Sequence, residues 1–245
     1  STSVTWSSGT VYIGQKRGNP DLTIIDGGSL TINSGVTVIF TQTGSDLIIN
    51  GSGKLTINGT SSLPVFLKNS STNWGHLYFN LSTGISSINN CVIEYGNGNG
   101  GPGGGIYIYN SQNVTINNCI IRNCTAQYGG GIEIEESSPL IQNCLIYNNS
   151  GAGIDVFGGS PTITNCTIIS NNDPNDGEFG GIQISSGTPT IKNCILWNNL
   201  QGSITEQDYS GGEGSISYSA ATQTISGTGM IDLDANNTSA TGPNF

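Results

Sequence analysis

The sequence predicts an all-β fold: a right-handed parallel β-helix solenoid with three strands per turn, about eight turns and terminal caps. Three observations carry that prediction. A short core recurs as INNCVI at 88–93, INNCII at 116–121, IQNCLI at 141–146, ITNCTI at 163–168 and IKNCIL at 191–196. It places Cys91, Cys119, Cys144, Cys166 and Cys194 at separations of 28, 25, 22 and 28 residues, and a period in the twenties with a constant centre marks stacked repeats. Between the cores, short runs alternate apolar and polar residues with a period of two, as in a pleated strand. The composition agrees: 37 glycines and only 9% charged residues fit many short strands and tight turns rather than a disordered chain.

One unit, residues 153–179, shows the elements in order. GIDVF is a first strand, PTIT a second and CTIIS a third, separated by GGS, by Asn165 and by a longer polar loop. Ile154 and Val156 point to one side, Asp155 and Phe157 to the other. Each strand then finds its partner one turn away, at about 4.8 Å. The N-terminal third follows the same order without cysteine. Residues 46–50 and 76–80 supply first strands; 29–40 and 54–67 each hold a second strand, a corner and a third strand. Residues 1–22 are expected to cap the open end, 23–218 to form the turns, and 219–245 to form a C-terminal cap or tail, all within one domain.

The recurring Asn and Cys have physical reasons. Asn90, Asn118, Asn143, Asn165 and Asn193 fall at the corner between second and third strands. Asn tolerates a left-handed backbone there, and its amide can bond the Asn of the next turn. The following Cys is the first inward residue of the third strand, where a small apolar side chain fits. Stacked cysteines have parallel rather than converging Cβ vectors, so a column of free thiols is expected instead of disulfides. Cys124 stands outside this column and is expected to be a sixth free thiol. Zinc is disfavoured, since no Cys-x-x-Cys pair occurs and His76 is the only histidine.

A net charge of −10 with six Lys and Arg opposes nucleic acid as a partner. No apolar run reaches the roughly 18–20 residues of a membrane span, and no signal-peptide pattern opens the sequence. Few lysines and many Asn, Thr and Gly fit a secreted or cell-surface protein, expected to be a monomer.

The series GGGI…SSPLIQNCLIYNN and GGI…GTPTIKNCILWNN resembles the right-handed parallel β-helix repeat proteins exported by bacteria, which share the fold of pectate lyases. NWGHLYF followed by CVIEYGN, and SISYSA…GTGMIDLD, are also similar to extracellular members. The resemblance covers roughly residues 22–234. It implies the fold but no single activity, because this repeat hosts lyases, hydrolases, epimerases, adhesins and other surface proteins.

Chemistry is expected on the outward first-strand positions, which form two columns. One reads Tyr78, Tyr107, Glu133, Asp155, Gln183; the other reads Asn80, Tyr109, Glu135, Phe157, Ser185. Loops 94–105, 122–131 and 170–181 would wall a groove over them. Glu133, Asp155 and Glu135 are candidates for paired acid chemistry, the arrangement used in glycoside hydrolysis. Glu133 and Asp155, with Asp173, Asp176 and Glu178 from the 171–179 loop, are alternatively a candidate calcium site. A solvated acidic face without a ligand is the plainest reading. Tyr78, Tyr107, Tyr109 and Phe157 beside Glu133, Glu135, Asp155 and Gln183 also compose a surface on which sugar rings stack and hydroxyls find acceptors. The resemblance implies a basic residue for lyase chemistry, and neither column holds one. The sequence therefore favours a non-catalytic polysaccharide-binding module. Its alternatives are a polysaccharide-degrading enzyme, a hydrolase before a lyase, and a structural stalk of a larger surface protein.

Overall fold

The computed structural model describes residues 2–14, 21–69, 73–98, 100–173 and 180–201, with short pieces at 205–206, 209–210, 216–217, 219–221, 228–229 and 231–232. They form a solenoid of three parallel sheets. First strands build a sheet of eight, second strands one of nine and third strands one of ten. Among the described residues, seven turns are built from strands of three to five residues, from Leu22–Ile24 through Ile195–Trp197. An eighth follows in two-residue strands, Tyr209–Ser210, Ile216–Ser217 and Ala220–Ala221.

Stacking starts earlier than expected. Ser3–Trp6 pairs in parallel with Ser29–Asn33, and Thr10–Ile13 with Thr37–Phe40, so strands lie within the stretch read as a cap. That stretch lacks the corner Asn and the Cys that made later turns legible. At the other end Ile231–Asp232 pairs with Ala220–Ala221, beyond the expected last turn.

Inward residues form continuous columns. Ile88, Ile116, Ile141, Ile163 and Ile191 lie over one another from the second strands, and Ile93, Ile121, Ile146, Ile168 and Leu196 from the third. All are fully buried, and burying such a side chain stabilises by about 1.5–3 kcal/mol. Near the N-terminal end the core is wider and takes a Phe40–Trp74 stack with centroids 4.0 Å apart. The Trp74 indole N–H is satisfied by the Glu94 carbonyl at 2.9 Å.

Corners are the difficult part of such a tube, because backbone N–H and C=O groups turn away from the ladder there. Three stacked polar columns satisfy them. Between first and second strands, Ser111 Oγ accepts the Ser82 N–H at 2.8 Å and Ser137 Oγ accepts the Ser111 N–H at 2.9 Å. Between second and third strands, Asn90, Asn118, Asn143, Asn165 and Asn193 have φ between 48° and 56°, the left-handed conformation expected. Their amides bond upward and downward, but not always to the equivalent Asn. Asn193 donates to Asn165 at 3.2 Å, whereas Asn143 donates to Asn117, one residue before the corner, at 2.9 Å.

The third column is internal and was not anticipated. Two residues after three of the third strands, Asn149, Asn171 and Asn199 point inward and are buried. Asn171 Oδ1 accepts the backbone N–H and the side-chain amide of Asn149, while Asn171 Nδ2 donates to Asn199 and to the Ile146 carbonyl. Cys124 heads this column: its N–H donates to Asn149 Oδ1 at 2.9 Å. It is thus a buried core residue one turn before Asn149, not a loop residue.

All six cysteines are free and buried. The thiols of Cys119, Cys144, Cys166 and Cys194 each settle against the carbonyl two residues before, as Cys144 does with Gln142 at 3.2 Å. The stacked thiols hold their protons tightly. Contact with the thiol below, together with burial, pushes Cys144 and Cys166 up to about 12. Burial likewise pushes Cys124 up to about 12.

Two predictions follow from this core. Titration in denaturant without reductant should count six thiols, and fewer than about four would contradict the column. The native protein keeps thiol protons that the unfolded chain releases near 9.0, so stability should fall as pH rises from 9 towards 12. Unfolding midpoints across that range should fall less steeply in Cys144→Ala. Separately, Asn171→Ala removes every bond Asn171 makes in the internal column. It should cost about 2–4 kcal/mol in urea unfolding, since each stranded buried group costs about 1–3 kcal/mol; a cost near zero would remove the ladder from the account.

Candidate functional site

The first-strand sheet sets the site. Its strands Leu77–Asn80, Ile106–Tyr109, Ile132–Glu135 and Ile154–Phe157 pair in unbroken register. Tyr78 therefore neighbours Tyr107, Tyr107 neighbours Glu133, and Glu133 neighbours Asp155; the second column runs Asn80, Tyr109, Glu135, Phe157. Asp155 continues to Gln183, but a register shift then sets Phe157 beside Ser186 instead of Ser185.

Glycine-rich segments fold over the first column. A glycine precedes each of its central residues by four positions: Gly103 before Tyr107, Gly129 before Glu133, Gly151 before Asp155. Gly103 (φ 66°) and Gly129 (φ 52°) are in left-handed backbone, and a Cβ on Gly129 would stand 2.6 Å from Glu133 Oε2. Only a residue without a side chain lets this segment lie on the carboxylate. Glu133 and Asp155 are each only 4% exposed, which overturns the reading of a solvated acidic face. Tyr107 is 9% exposed.

An aromatic clamp adjoins the acids. Tyr78 and Tyr107 stack with centroids 4.7 Å apart and an interplanar angle of 8°. The His76 ring meets both, edge-on to Tyr78 at 5.4 Å, and its Nδ1 bonds the Gly103 carbonyl at 2.7 Å. The Tyr107 hydroxyl donates to Glu135 Oε2 at 2.5 Å. Burial, then that bond to a carboxylate, raises the Tyr107 hydroxyl well above its ordinary range, so it remains a donor. Below the clamp, Asp46 accepts the His76 N–H at 2.9 Å, and burial raises its carboxyl despite the nearby imidazole.

A groove of about 410 Å³ opens beside the clamp. It is lined by Glu133, Glu135, Asp155, Phe157, Gln183 and Ser185 of the first-strand sheet and by Pro102 and Tyr128 of connecting segments. Phe157 is 51% exposed and Tyr128 39%. The structure thus brings Glu133, Glu135, Asp155, Phe157 and Gln183 together and adds Tyr128 and Pro102, which the sequence reading did not single out. Tyr78, Tyr107 and Tyr109 lie on the same sheet but do not line the groove. Among the described residues that line it, none is basic.

Asp173 belongs to a short strand, Asn172–Asp173, paired with Leu200–Gln201. Asp176 and Glu178 lie outside the described residues. Among the described residues no set of three His, Cys, Asp or Glu side chains is placed to hold a metal ion. Arg122 serves elsewhere: on the third-strand sheet it binds Glu94 Oε2 through two nitrogens at 2.9 and 2.7 Å and the Tyr147 hydroxyl at 2.8 Å. The outward stripe of Val92, Ile120, Leu145, Thr167 and Ile195 is half-buried or buried. No helix of the described residues is long and apolar enough to cross a membrane.

A family model described as "Right handed beta helix region" matches residues 18–238. No curated protein and no solved structure matches the chain.

The covering segment yields a comparison of two glycines. Gly129→Ala and Gly100→Ala both force Ala into left-handed backbone, costing about 1–2 kcal/mol. At Gly100 (φ 79°) the new Cβ meets nothing within 4 Å, whereas at Gly129 it meets Glu133 Oε2 and the Ile132 carbonyl at 2.6 Å. Thermal unfolding should show the Gly129 variant distinctly the less stable. Equal losses would mean that the segment does not rest on Glu133.

Proposed function

We propose that this chain, which belongs to the right-handed β-helix family, is a non-catalytic polysaccharide-binding module whose site is the groove on its first-strand sheet. One observation carries the reading: a single groove is lined both by two exposed aromatic rings, Phe157 and Tyr128, and by acceptor side chains. Sugar rings stack on such faces, and carboxylate and amide oxygens take hydroxyl hydrogens. Phe157 and Tyr128 are the platforms; Glu135 and Gln183 are the acceptors. Tyr107, being covered, acts on Glu135 and not on the sugar. The groove runs across stacked turns, so a polymer has several equivalent rungs to lie along. A monomer suffices for this role, and the composition supports a secreted or cell-surface location.

Glycoside hydrolysis is the second reading, favoured by the side-by-side placement of Glu133 and Asp155. Their burial weighs against it, because a general acid must touch the glycosidic oxygen. Lyase chemistry lacks a base in the groove, and a purely structural stalk leaves the exposed aromatic pair without a use.

A glycan-array screen followed by calorimetry tests the proposal. Phe157→Ala and Tyr128→Ala should each weaken binding about tenfold, since an aromatic stack contributes about 0.5–1.5 kcal/mol beyond its buried area. Both rings are exposed, so melting temperatures should hardly move. Binding unaffected by both changes would remove the groove from the proposal. New reducing ends after incubation with the bound glycan would replace binding by hydrolysis.

A further inference from the structure

Resting on the reading of this groove as a polysaccharide site, we infer that Glu135, fixed by Tyr107, is its specificity determinant and selects uncharged polysaccharides over uronate-bearing ones. Tyr107 is built as a support. Its ring stacks on Tyr78, at 4.7 Å and nearly parallel, and Gly103 packs against its Cα and Cβ, the Gly103 carbonyl being in turn held by His76. From that position its hydroxyl occupies one oxygen of Glu135. An ionised carboxylate is acceptor-only, with about four lone-pair sites. With Oε2 taken from the sheet side, Oε1 is left to accept from a ligand.

The consequence for the ligand is chemical. A hydroxyl on a neutral sugar donates to Glu135 without any change of charge. A uronate carboxylate donates nothing at that point and brings a negative charge to a groove already lined by Glu133, Glu135 and Asp155. None of the described lining residues is basic, and Arg122, on the third-strand sheet, is engaged by Glu94. Juxtaposed like charges without a cation disfavour the complex, and at a partly exposed position the penalty shrinks as salt screens it. Tyr107 is a positioning residue and Glu135 the selecting one.

The test uses the full chain and two glycan sets of matched length, neutral glucans and polygalacturonate, titrated at low and at high salt. Wild type should bind the neutral polymer at least tenfold more tightly at low salt, with the ratio narrowing at high salt. Glu135→Gln keeps an acceptor oxygen and removes the charge; it should narrow the ratio at least threefold by gaining affinity for the uronate. Tyr107→Phe keeps the stack and loses only the hydroxyl; it should weaken neutral binding about three- to tenfold and leave uronate binding unchanged. A structural role alone would weaken both ligands together. Glu135 is only partly buried, so its variant remains a fair test even if the Tyr107 variant folds poorly. A ratio unchanged in Glu135→Gln, or a wild type preferring polygalacturonate, overturns this inference while the groove reading stands. A wild type that binds neither polymer nor any arrayed glycan overturns both.

Discussion

Every residue of this solenoid must sit on its counterpart one turn away, at about 4.8 Å, and that single constraint organises the molecule. Along the strands it is met by backbone hydrogen bonds, which ask little of the sequence beyond alternation. At the corners the backbone bends out of the ladder, and there the constraint becomes specific. One residue must take the left-handed bend and a polar side chain must bond the neighbouring turn. The corner Asn does both between second and third strands, and Cys fills the narrow space beside it. At the other corners the stacked Ser or Asn follows the left-handed residue. A buried Asn in isolation would be costly, but a stacked column leaves each amide satisfied by the next, as Asn149, Asn171 and Asn199 are.

The same constraint makes the groove. Side chains 22 to 29 residues apart in sequence become lateral neighbours on this sheet, so a change of residue type from turn to turn writes a surface pattern. Tyrosines on two turns give way to Glu133 and then Asp155 in one column, while Tyr109, Glu135 and Phe157 succeed one another in the other. Glu133 enters a nearly buried position because Gly129, without a side chain, can lie against it. Fixing Glu135 depends on a diagonal between columns, from Tyr107 to the next turn. The groove thus combines the repeat strands with Pro102 and Tyr128 from connecting segments.

Much of this was legible in the sequence, and unevenly so. The Ile-x-Asn-Cys core gave the period, the corner and the register, which in turn placed Glu133 beside Asp155 and Glu135 beside Phe157. Burial of Glu133 and Asp155 was not legible, because strand alternation tells which side a residue faces but not what lies over it. For Glu133 the signal was Gly129, four positions earlier, readable only once the register is known. Tyr128 escaped for a similar reason: it belongs to a connecting loop, where no period constrains it. Cys124 was misplaced because it was compared with the other cysteines, whereas its structural equivalents are Asn149, Asn171 and Asn199. The first strands, Ser3–Trp6 and Thr10–Ile13, lack the corner signature altogether.

Hydrogen exchange at two backbone amides tests the stacking constraint most directly. The N–H groups of Asn149 and Asn171 have side-chain oxygens of the next turn as their acceptors, Asn171 Oδ1 and Asn199 Oδ1, each at 3.1 Å. If the columns hold the corners, both amides exchange as slowly as those of the neighbouring strands Leu145–Tyr147 and Thr167–Ile169, at the rate of global unfolding. Exchange at the rate of an open loop, with the strands still protected, would show corners held by the strands alone and would contradict the account.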